Sequence, residues 1–192
     1  MLNPSYSITP KVLSNISEIT EIKAIVERSR VLPLNEAQLR RQAILRMAHT
    51  STSIEGNRLA QFEVGKVLEG KTVRAPQKDI LEVENYYKAL QLLDKLSRPK
   101  QDLTLDEILL LHQTVISGLV DKEKTGKFRP GDIYVLDDLG GGKEMLRFKG
   151  PSAKKVPTLV TDLLGWLKRA RKEGLHPILM AGILHLEFVS IH

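Results

Sequence analysis

The stretch HPILMAGILHLEFVSIH, residues 176–192, decides the fold that we expect. From Ile178 onward, only three side chains before the final histidine are strongly polar: His185, Glu187 and Ser190. Pro177 suits the first turn of a helix, where a missing N–H costs nothing. Apolar residues on every side of a helix are typical of burial on every side. We therefore predict a helix over 178–191 that is buried nearly all round, with His192 where the helix emerges.

The end of this helix lacks the residues that normally stop one. No Gly, Lys or Arg follows the apolar run, although such residues usually accompany a helix C-terminus. We therefore expect the chain to be cut at this point. A cut would leave apolar surface uncovered, and such surface promotes association between copies of a chain. Self-association into a homo-oligomer is therefore one expectation.

Length and composition limit the class of protein. The chain has 192 residues, 42% of them hydrophobic, and no cysteine. This size allows a real core, and the absence of cysteine excludes a disulfide framework. The apolar runs are too short or too charged to span a bilayer, and the N-terminus is not built like a secretory signal. We expect a cytoplasmic protein with no membrane segment.

The charge of the chain has two interpretations. The formal net charge is +6, and residues 121–172 contain 13 Lys and Arg against 7 Asp and Glu. A basic segment can be a solvated surface or a site for polyanions such as nucleotide phosphates. No helix-turn-helix, zinc-finger or aromatic RNA-binding motif accompanies it. Nucleic acid is therefore not the expected partner of this region.

The remaining sequence predicts a mainly α fold with one small β-hairpin. Helical periodicity, caps and turn residues predict helices at 15–29, 36–54, 61–68, 78–97, from Thr104 onward and at 152–174. Residues 120–151 are rich in glycine and contain two short β-like runs, Ile133–Val135 and Met145–Phe148, which predict a hairpin. Residues 1–34 form an N-terminal extension and helix, and 35–192 the remainder of one structural unit.

The segment Ser51-Thr52-Ser53-Ile54-Glu55-Gly56-Asn57 has a composition that is unusual for a helix end. Its three consecutive hydroxyls compete for backbone hydrogen bonds, and a carboxylate in a last turn faces the negative end of the helix dipole. Gly56 is suited to cap the helix. Ser51 and Glu55 share a helix face and could form a hydrogen bond. The segment is either a frayed polar end or a place where Glu55 awaits a cation, such as an arginine.

The two histidines of the terminal helix also have alternative interpretations. His185 and His192 are seven residues apart, whereas zinc ligands on a helix are usually four apart with a third ligand nearby. Metal binding is therefore not expected, and no metal ligand is predicted in the chain. His185 is expected to be a core histidine with satisfied hydrogen bonds. A neutral His192 could accept a proton from a hydroxyl, as a general base does.

Together these segments resemble the Fic family, whose motif is HPFx(D/E)GNGRxxR. Residues 183–192, ILHLEFVSIH, are similar to the helix that precedes this motif, with His192 at its first position. The family's inhibitory motif, (S/T)xxxE(G/N), is matched by Ser51, Glu55 and Gly56. Other similar stretches are Glu82–Tyr86, Gly126-Lys127-Phe128-Arg129 and Val156–Leu167. The resemblance covers most of 35–192, as a Fic N-terminal region and an incomplete Fic core within a Fic-like helical bundle.

The resemblance implies a reaction. Fic proteins transfer AMP from ATP to a Ser, Thr or Tyr hydroxyl of a target protein. His192 is then the general base, while ATP and Mg²⁺ are held mainly by motif positions that follow it. Such a protein is an adenylyltransferase, and this chain as it stands is expected to be inactive.

The resemblance also implies roles for the hairpin and for Glu55. The hairpin is similar to the family's flap, which holds the target segment by strand addition. Its expected docking residues are Ile133, Tyr134, Val135, Leu146, Arg147 and Phe148. In the family, the inhibitory glutamate pairs with the second arginine of the motif and blocks productive seating of the γ-phosphate. Glu55 is the expected equivalent.

Three alternative functions remain at this stage. The chain could be a non-catalytic binding or regulatory module acting through the flap or the basic segment. It could remove AMP, because the same glutamate assists that hydrolysis in some relatives. A basic nucleic-acid binder is the third, and its binding would fall steeply with salt.

Overall fold

The computed structural model describes residues 2–29, 33–97 and 102–191. Within these ranges the chain is mainly α-helical, as predicted, with one two-stranded antiparallel sheet. The helices are α1 (Pro10–Arg28), α2 (Pro33–Ile54), α3 (Gln61–Leu68), α4 (Gln77–Leu96), α5 (Leu105–Val115), α6 (Val156–Lys172) and α7 (Pro177–Ile191). The strands are β1 (Tyr134–Asp138) and β2 (Glu144–Lys149), and short 3-10 turns occupy Lys122–Lys124 and Ala153–Lys155.

The largest boundary difference is at the first helix. The apolar stripe predicted a start at residue 15, but α1 begins at Pro10. The Thr9 hydroxyl accepts a hydrogen bond from the Val12 backbone N–H at 3.2 Å, which caps the helix, and proline is well suited to the first position. The apolar stripe thus marks only the later part of α1. The helix buries none of its residues, and Ile19, Ile22 and Ile25 are exposed.

The described residues form two compact units. The hairpin unit contains residues 2–27, 102–105 and 128–191, and the helical unit contains 28–29, 33–97 and 106–127. The predicted division between residues 34 and 35 stays a prediction. No helix in the described ranges is both long enough and apolar enough to cross a bilayer.

The helical unit has its core where α2, α3 and α4 pack against one another. The buried members of this core are Ala48, Leu59, Val64, Val67 and Val83. Leu59 lies between α2 and α3, and the others come from helix faces, where apolar residues recur every three or four positions. This packing fixes the end of α2, where the Ser51–Asn57 segment lies.

The hairpin unit is organised by the packing of α6 against α7. The buried face of α6 carries Val156, Val160, Leu163, Trp166 and Ala170 at helical spacing. Polar contacts also tie residue 102 to α6, because the Asp102 carboxylate forms ion pairs with Lys168, at 3.0 Å, and with Arg171. A hydrogen bond from Lys168 and the charge of Arg171 hold the pKa of Asp102 below its ordinary value.

Candidate active site

The end of α7, in the hairpin unit, is the first candidate region. The helix runs from Pro177 to Ile191, so its predicted position and its proline in the first turn are confirmed. The Ile178 N–H donates to Nδ1 of His176 at 3.3 Å, which satisfies one of the free amides of the first turn. Ile191 is buried. His192 lies outside the described residues, so its role stays a prediction.

The predicted burial of α7 is wrong. Among its described side chains only Ile191 is buried, while Leu186 and Val189 are 65% and 57% exposed. His185 is exposed too, so it is not a core histidine. The apolar residues surround the helix, but within the hairpin unit α7 packs on α6, which covers one side only. The composition of a helix indicates which of its side chains could be buried. The elements that pack against the helix determine which side chains are buried.

Arg129 connects three backbone segments near the end of α7. Its guanidinium donates hydrogen bonds to the carbonyls of Gly131, at 2.7 Å, and Pro151, at 2.5 Å. The same group lies 3.4 Å from the carbonyl oxygen of Ile191. Arg129 therefore ties the base of the hairpin to the residue that precedes His192.

The β-hairpin confirms the predicted strands and tip. Strand β1 pairs with β2 in antiparallel register, with a bulge between Val135 and Leu136. The three tip glycines, Gly140–Gly142, all have positive φ, a conformation that glycine adopts without strain. The strands expose most of their side chains.

The predicted flap residues are brought together on this hairpin. Tyr134 and Val135 lie on β1, and Leu146, Arg147 and Phe148 on β2. Ile133 lies just before β1, where its carbonyl accepts a hydrogen bond from Gly150 at 3.1 Å. Because the sheet has only two strands in the described part of the chain, both outer edges present unpaired backbone groups. The hairpin can therefore accept a third strand.

The Ser51–Asn57 segment, which belongs to the helical unit, is a separate candidate region. Helix α2 ends at Ile54, and Gly56 follows with a φ of 91°, so its predicted role as the cap is confirmed. The Ser51 hydroxyl donates to the Tyr86 hydroxyl at 2.9 Å and makes no bond to Glu55. Glu55 is exposed, and its side chain makes no hydrogen bond or ion pair with any described residue. The Ser51–Glu55 hydrogen bond is therefore not formed.

Sequence analysis missed two residues that hold these segments in place. Arg129 was recognised only as part of a similar stretch, and its carbonyl partners lie up to 62 residues away. The sequence indicates no role for Asn57, although it is buried and bonded to α4. A polar residue beside a helix end is a weak sequence indication of such contacts, because local spacing cannot reveal distant partners.

A cavity in the helical unit lies apart from the predicted site residues, and the described residues contain no metal cluster. A cavity of about 320 Å³ lies among α2, α3 and α4, and Arg40, Arg41, Glu69 and Tyr87 are among its lining residues. It contains none of the predicted site residues, and Arg41 is already paired with Glu69. No group of three or more His, Cys, Asp or Glu side chains in the described ranges is placed to hold a metal ion.

Comparison with known families decides the identity of the second half of the chain. The model of the Fic/DOC family matches residues 102–192, which include the hairpin, α6 and α7. Residues 102–192 are a Fic/DOC family domain. Arg129 therefore joins the hairpin of a Fic/DOC domain to the helix that precedes position 192.

Solved structures extend the similarity to the helices before the Fic/DOC domain. A Fic family protein from Desulfovibrio desulfuricans G20 has 30% identity and a TM-score of 0.79, over 100% of this chain and 54% of that one. A Fic domain containing signaling protein from Bacteroides thetaiotaomicron VPI-5482 has 22% identity and a TM-score of 0.74, over 85% of this chain and 60% of that one. At 22% identity, the similarity to this second structure shows a shared fold alone. The predicted Fic-like helical fold is thus confirmed.

These comparisons also set the extent of the match. The chain spans 54% and 60% of the lengths of these two solved structures. A search of the curated proteins found no match.

Proposed function

We propose that this chain is part of a Fic protein that transfers AMP from ATP to a hydroxyl side chain of a target protein. The observation that carries the proposal is the Fic/DOC domain at 102–192, in which α7 (Pro177–Ile191) leads directly to His192. The exposed two-stranded hairpin supports it, because the edges of the hairpin suit an extended segment of a target.

His192 is the proposed general base. It accepts the proton of the target hydroxyl as the hydroxyl oxygen bonds to the α-phosphorus of ATP. The bond between that phosphorus and the leaving pyrophosphate breaks in the same exchange. A positioned base contributes roughly 10²–10⁴-fold to the rate. The bonds from Arg129 to the carbonyls of Pro151 and Ile191 support this role, because they fix the backbone on which residue 192 follows.

ATP is the proposed nucleotide substrate and Mg²⁺ the proposed metal. The described residues do not fit a Mg²⁺ site, because no suitable cluster of ligands occurs among them. The family motif assigns both groups to positions after its histidine, so the residues of this chain contribute the base, the flap and the inhibitory segment.

Glu55 is the proposed inhibitory residue, with Ser51 and Gly56 as the other positions of its motif. Its support is the exposed carboxylate, which has no partner among the described side chains and so remains able to pair with an arginine. An arginine–carboxylate pair of that kind is a strong, charge-assisted contact. Self-association and a cytoplasmic location remain predictions.

Labelling with ATP tests this proposal. The full-length protein, as wild type and as Glu55→Gly, is incubated with Mg²⁺ and ATP labelled at the α-phosphate. We expect Glu55→Gly to label itself or a lysate protein, and the added change His192→Ala to reduce the label by at least about 10²-fold. His185→Ala, an exposed histidine on the same helix, is the matched control and should keep the label. Absence of label from every variant would refute the proposal.

A further inference from the structure

The residue that follows the inhibitory motif is the most fully bonded polar side chain of its segment. Asn57 is buried, with 8% of its surface exposed. Its Nδ2 donates to the backbone carbonyl of Asp79 and to a carboxylate oxygen of Glu82, both at 2.8 Å. Its Oδ1 accepts a hydrogen bond from the Leu59 N–H at 3.1 Å. Both amide hydrogens and the carbonyl oxygen are thus in use, and they join the chain to the first turns of α4.

The residues just before Asn57 are tied to the last turn of α2. The Glu55 N–H and the Asn57 N–H both donate to the carbonyl of Thr52 at 3.1 Å, and the Gly56 N–H donates to that of Ser53 at 3.0 Å. Gly56 reverses the chain with a positive φ. The backbone of Glu55 is therefore held from both sides, by α2 before it and by the Asn57 side chain after it.

The contrast between the two side chains suggests a division of roles. Asn57 is buried and its side chain is fully bonded, whereas the side chain of Glu55 is exposed and makes no polar contact with the described residues. A carboxylate held on a fixed backbone loses less entropy when it pairs with a cation than one on a mobile loop. Fixing the backbone therefore strengthens any contact that Glu55 makes.

We infer that Asn57 is a positioning residue for inhibition: its side-chain amide locks the turn that carries Glu55 onto α4. The inference rests on the proposed function, since it concerns the regulation of that same site. An asparagine is required because the amide must donate to Glu82 and Asp79 while accepting from Leu59. An aspartate at 57 would lose both donors and place a second carboxylate against that of Glu82.

The experiment compares self-labelling by the full-length protein and its variants. Glu55→Gly defines full release from inhibition. Asn57→Ala should label at least five-fold more than the wild type and no more than Glu55→Gly. The double variant Glu55→Gly/Asn57→Ala should not exceed Glu55→Gly, because the position of residue 55 no longer matters once its carboxylate is gone.

The helical unit offers a matched control in Asn85. This second buried asparagine also donates two Nδ2 hydrogen bonds to carbonyls, those of Val115 at 3.1 Å and Ser117 at 2.7 Å. Asn85→Ala removes equivalent bonds without touching the turn at 55–57, so it should lower stability and leave labelling at or below the wild-type level. If Asn57 had a purely structural role, Asn57→Ala would likewise lower stability and leave labelling at or below the wild-type level. A positioning role predicts that Asn57→Ala raises labelling.

A second variant covers the case in which Asn57→Ala does not fold. Glu82→Ala removes one of the two acceptors of Asn57 and leaves residues 51–57 unchanged. It should raise labelling and speed hydrogen exchange at the amides of residues 55–57, while the amides of α3 keep their protection.

The outcomes separate the two claims. If Glu55→Gly labels while folded Asn57→Ala, or Glu82→Ala in its place, labels no more than the wild type, Asn57 has no positioning role. If Glu55→Gly itself never labels, the proposed function and this inference both fail.

Discussion

The guanidinium of Arg129 lies 3.4 Å from the carbonyl oxygen of Ile191, although 62 residues separate them in sequence. The same side chain donates to the carbonyl of Pro151, at the exit of the hairpin. One side chain thus joins the proposed flap to the helix that leads to His192. A disturbance at Arg129 is expected to affect both parts together.

Replacing Arg129 tests that connection. Arg129→Ala leaves at least two carbonyls without a charged donor, so we expect it to lower the free energy of unfolding by about 1.5–3 kcal/mol. In the Glu55→Gly background it should also reduce AMP transfer. Arg129→Lys should restore neither the stability nor the AMP transfer fully. An ammonium group cannot reproduce the planar guanidinium, whose N–H groups reach several carbonyls. Chemical denaturation and labelling measure the two effects.

Arg147 provides the control for this replacement. It lies on the exposed hairpin and pairs with Asp137 at 3.2 Å. Exposed pairs of this kind contribute about 0–1 kcal/mol, so Arg147→Ala should change stability little. Equal losses of unfolding free energy for Arg129→Ala and Arg147→Ala would contradict the assigned role of Arg129.

Two glycines should respond in opposite directions to the same substitution. Gly56 has a φ of 91° with open space around it, so Gly56→Ala meets no clash but is strained in its backbone. We expect a loss of roughly 1–2 kcal/mol in unfolding free energy. Gly182 lies inside α7, also with open space, and Gly182→Ala should stabilise by about 0.5–1 kcal/mol. Thermal denaturation shows whether each variant is less or more stable than the wild type. A stabilised Gly56→Ala would contradict the described turn.

Sequence periodicity predicted the parts of this fold that depend on local pattern. Residues 61–68 coincide with α3, and the Gly140–Gly142 tip correctly predicted the turn of the hairpin. Patterns of this kind act over a few residues, so spacing is enough to reveal them. The cap that Thr9 provides was missed because no apolar stripe accompanies the start of α1.

Features that depend on distant neighbours could not be predicted in the same way. The all-round apolar pattern of α7 indicated burial, but in the hairpin unit the helix packs on α6 and leaves Leu186 and Val189 exposed. Besides one local partner each, Asn57 and Arg129 have partners 22 to 62 residues away, and no local spacing encodes such contacts. The composition of Ser51–Asn57, the glycine content of 120–151 and the family resemblance pointed to the segments in which these residues lie, but not to their contacts.

The ion pairs of Asp102 predict a pH dependence. Its pKa is lowered, first by the hydrogen bond from Lys168, so its ionised form is favoured by folding. The stability from these pairs is therefore present above the ordinary Asp pKa of 3.8 and is lost as the pH falls through the lower pKa of the folded state. Asp102→Asn should be less stable than the wild type at pH 7, and the difference should shrink below about pH 4.

Asp94 supplies the control for the pH series. It is exposed on α4 and forms no ion pair with the described residues, so Asp94→Asn makes the same change in charge without breaking a pair. Urea denaturation midpoints across pH 2–7 compare the two variants. A constant difference between Asp102→Asn and the wild type over this range would contradict the assignment.

The exposed apolar side of α7 predicts self-association of the 192-residue chain. Leu186 and Val189 are both more than half exposed and are one helical turn apart. Exposed apolar surface of this kind favours association. Sedimentation velocity should show a larger species as concentration rises, and Leu186→Gln/Val189→Gln should remove it. Ser190→Gln, a polar-to-polar change on the same helix, should not, and a wild-type monomer at all concentrations would contradict the prediction.

The most direct test of the proposed reaction is mass spectrometry of the full-length Glu55→Gly protein after incubation with ATP and Mg²⁺. The proposal predicts the covalent addition of one AMP to a Ser, Thr or Tyr side chain, and its loss when His192→Ala is added. An unmodified Glu55→Gly protein, with no modified target in a lysate, would contradict it, as would an addition that persists undiminished without His192.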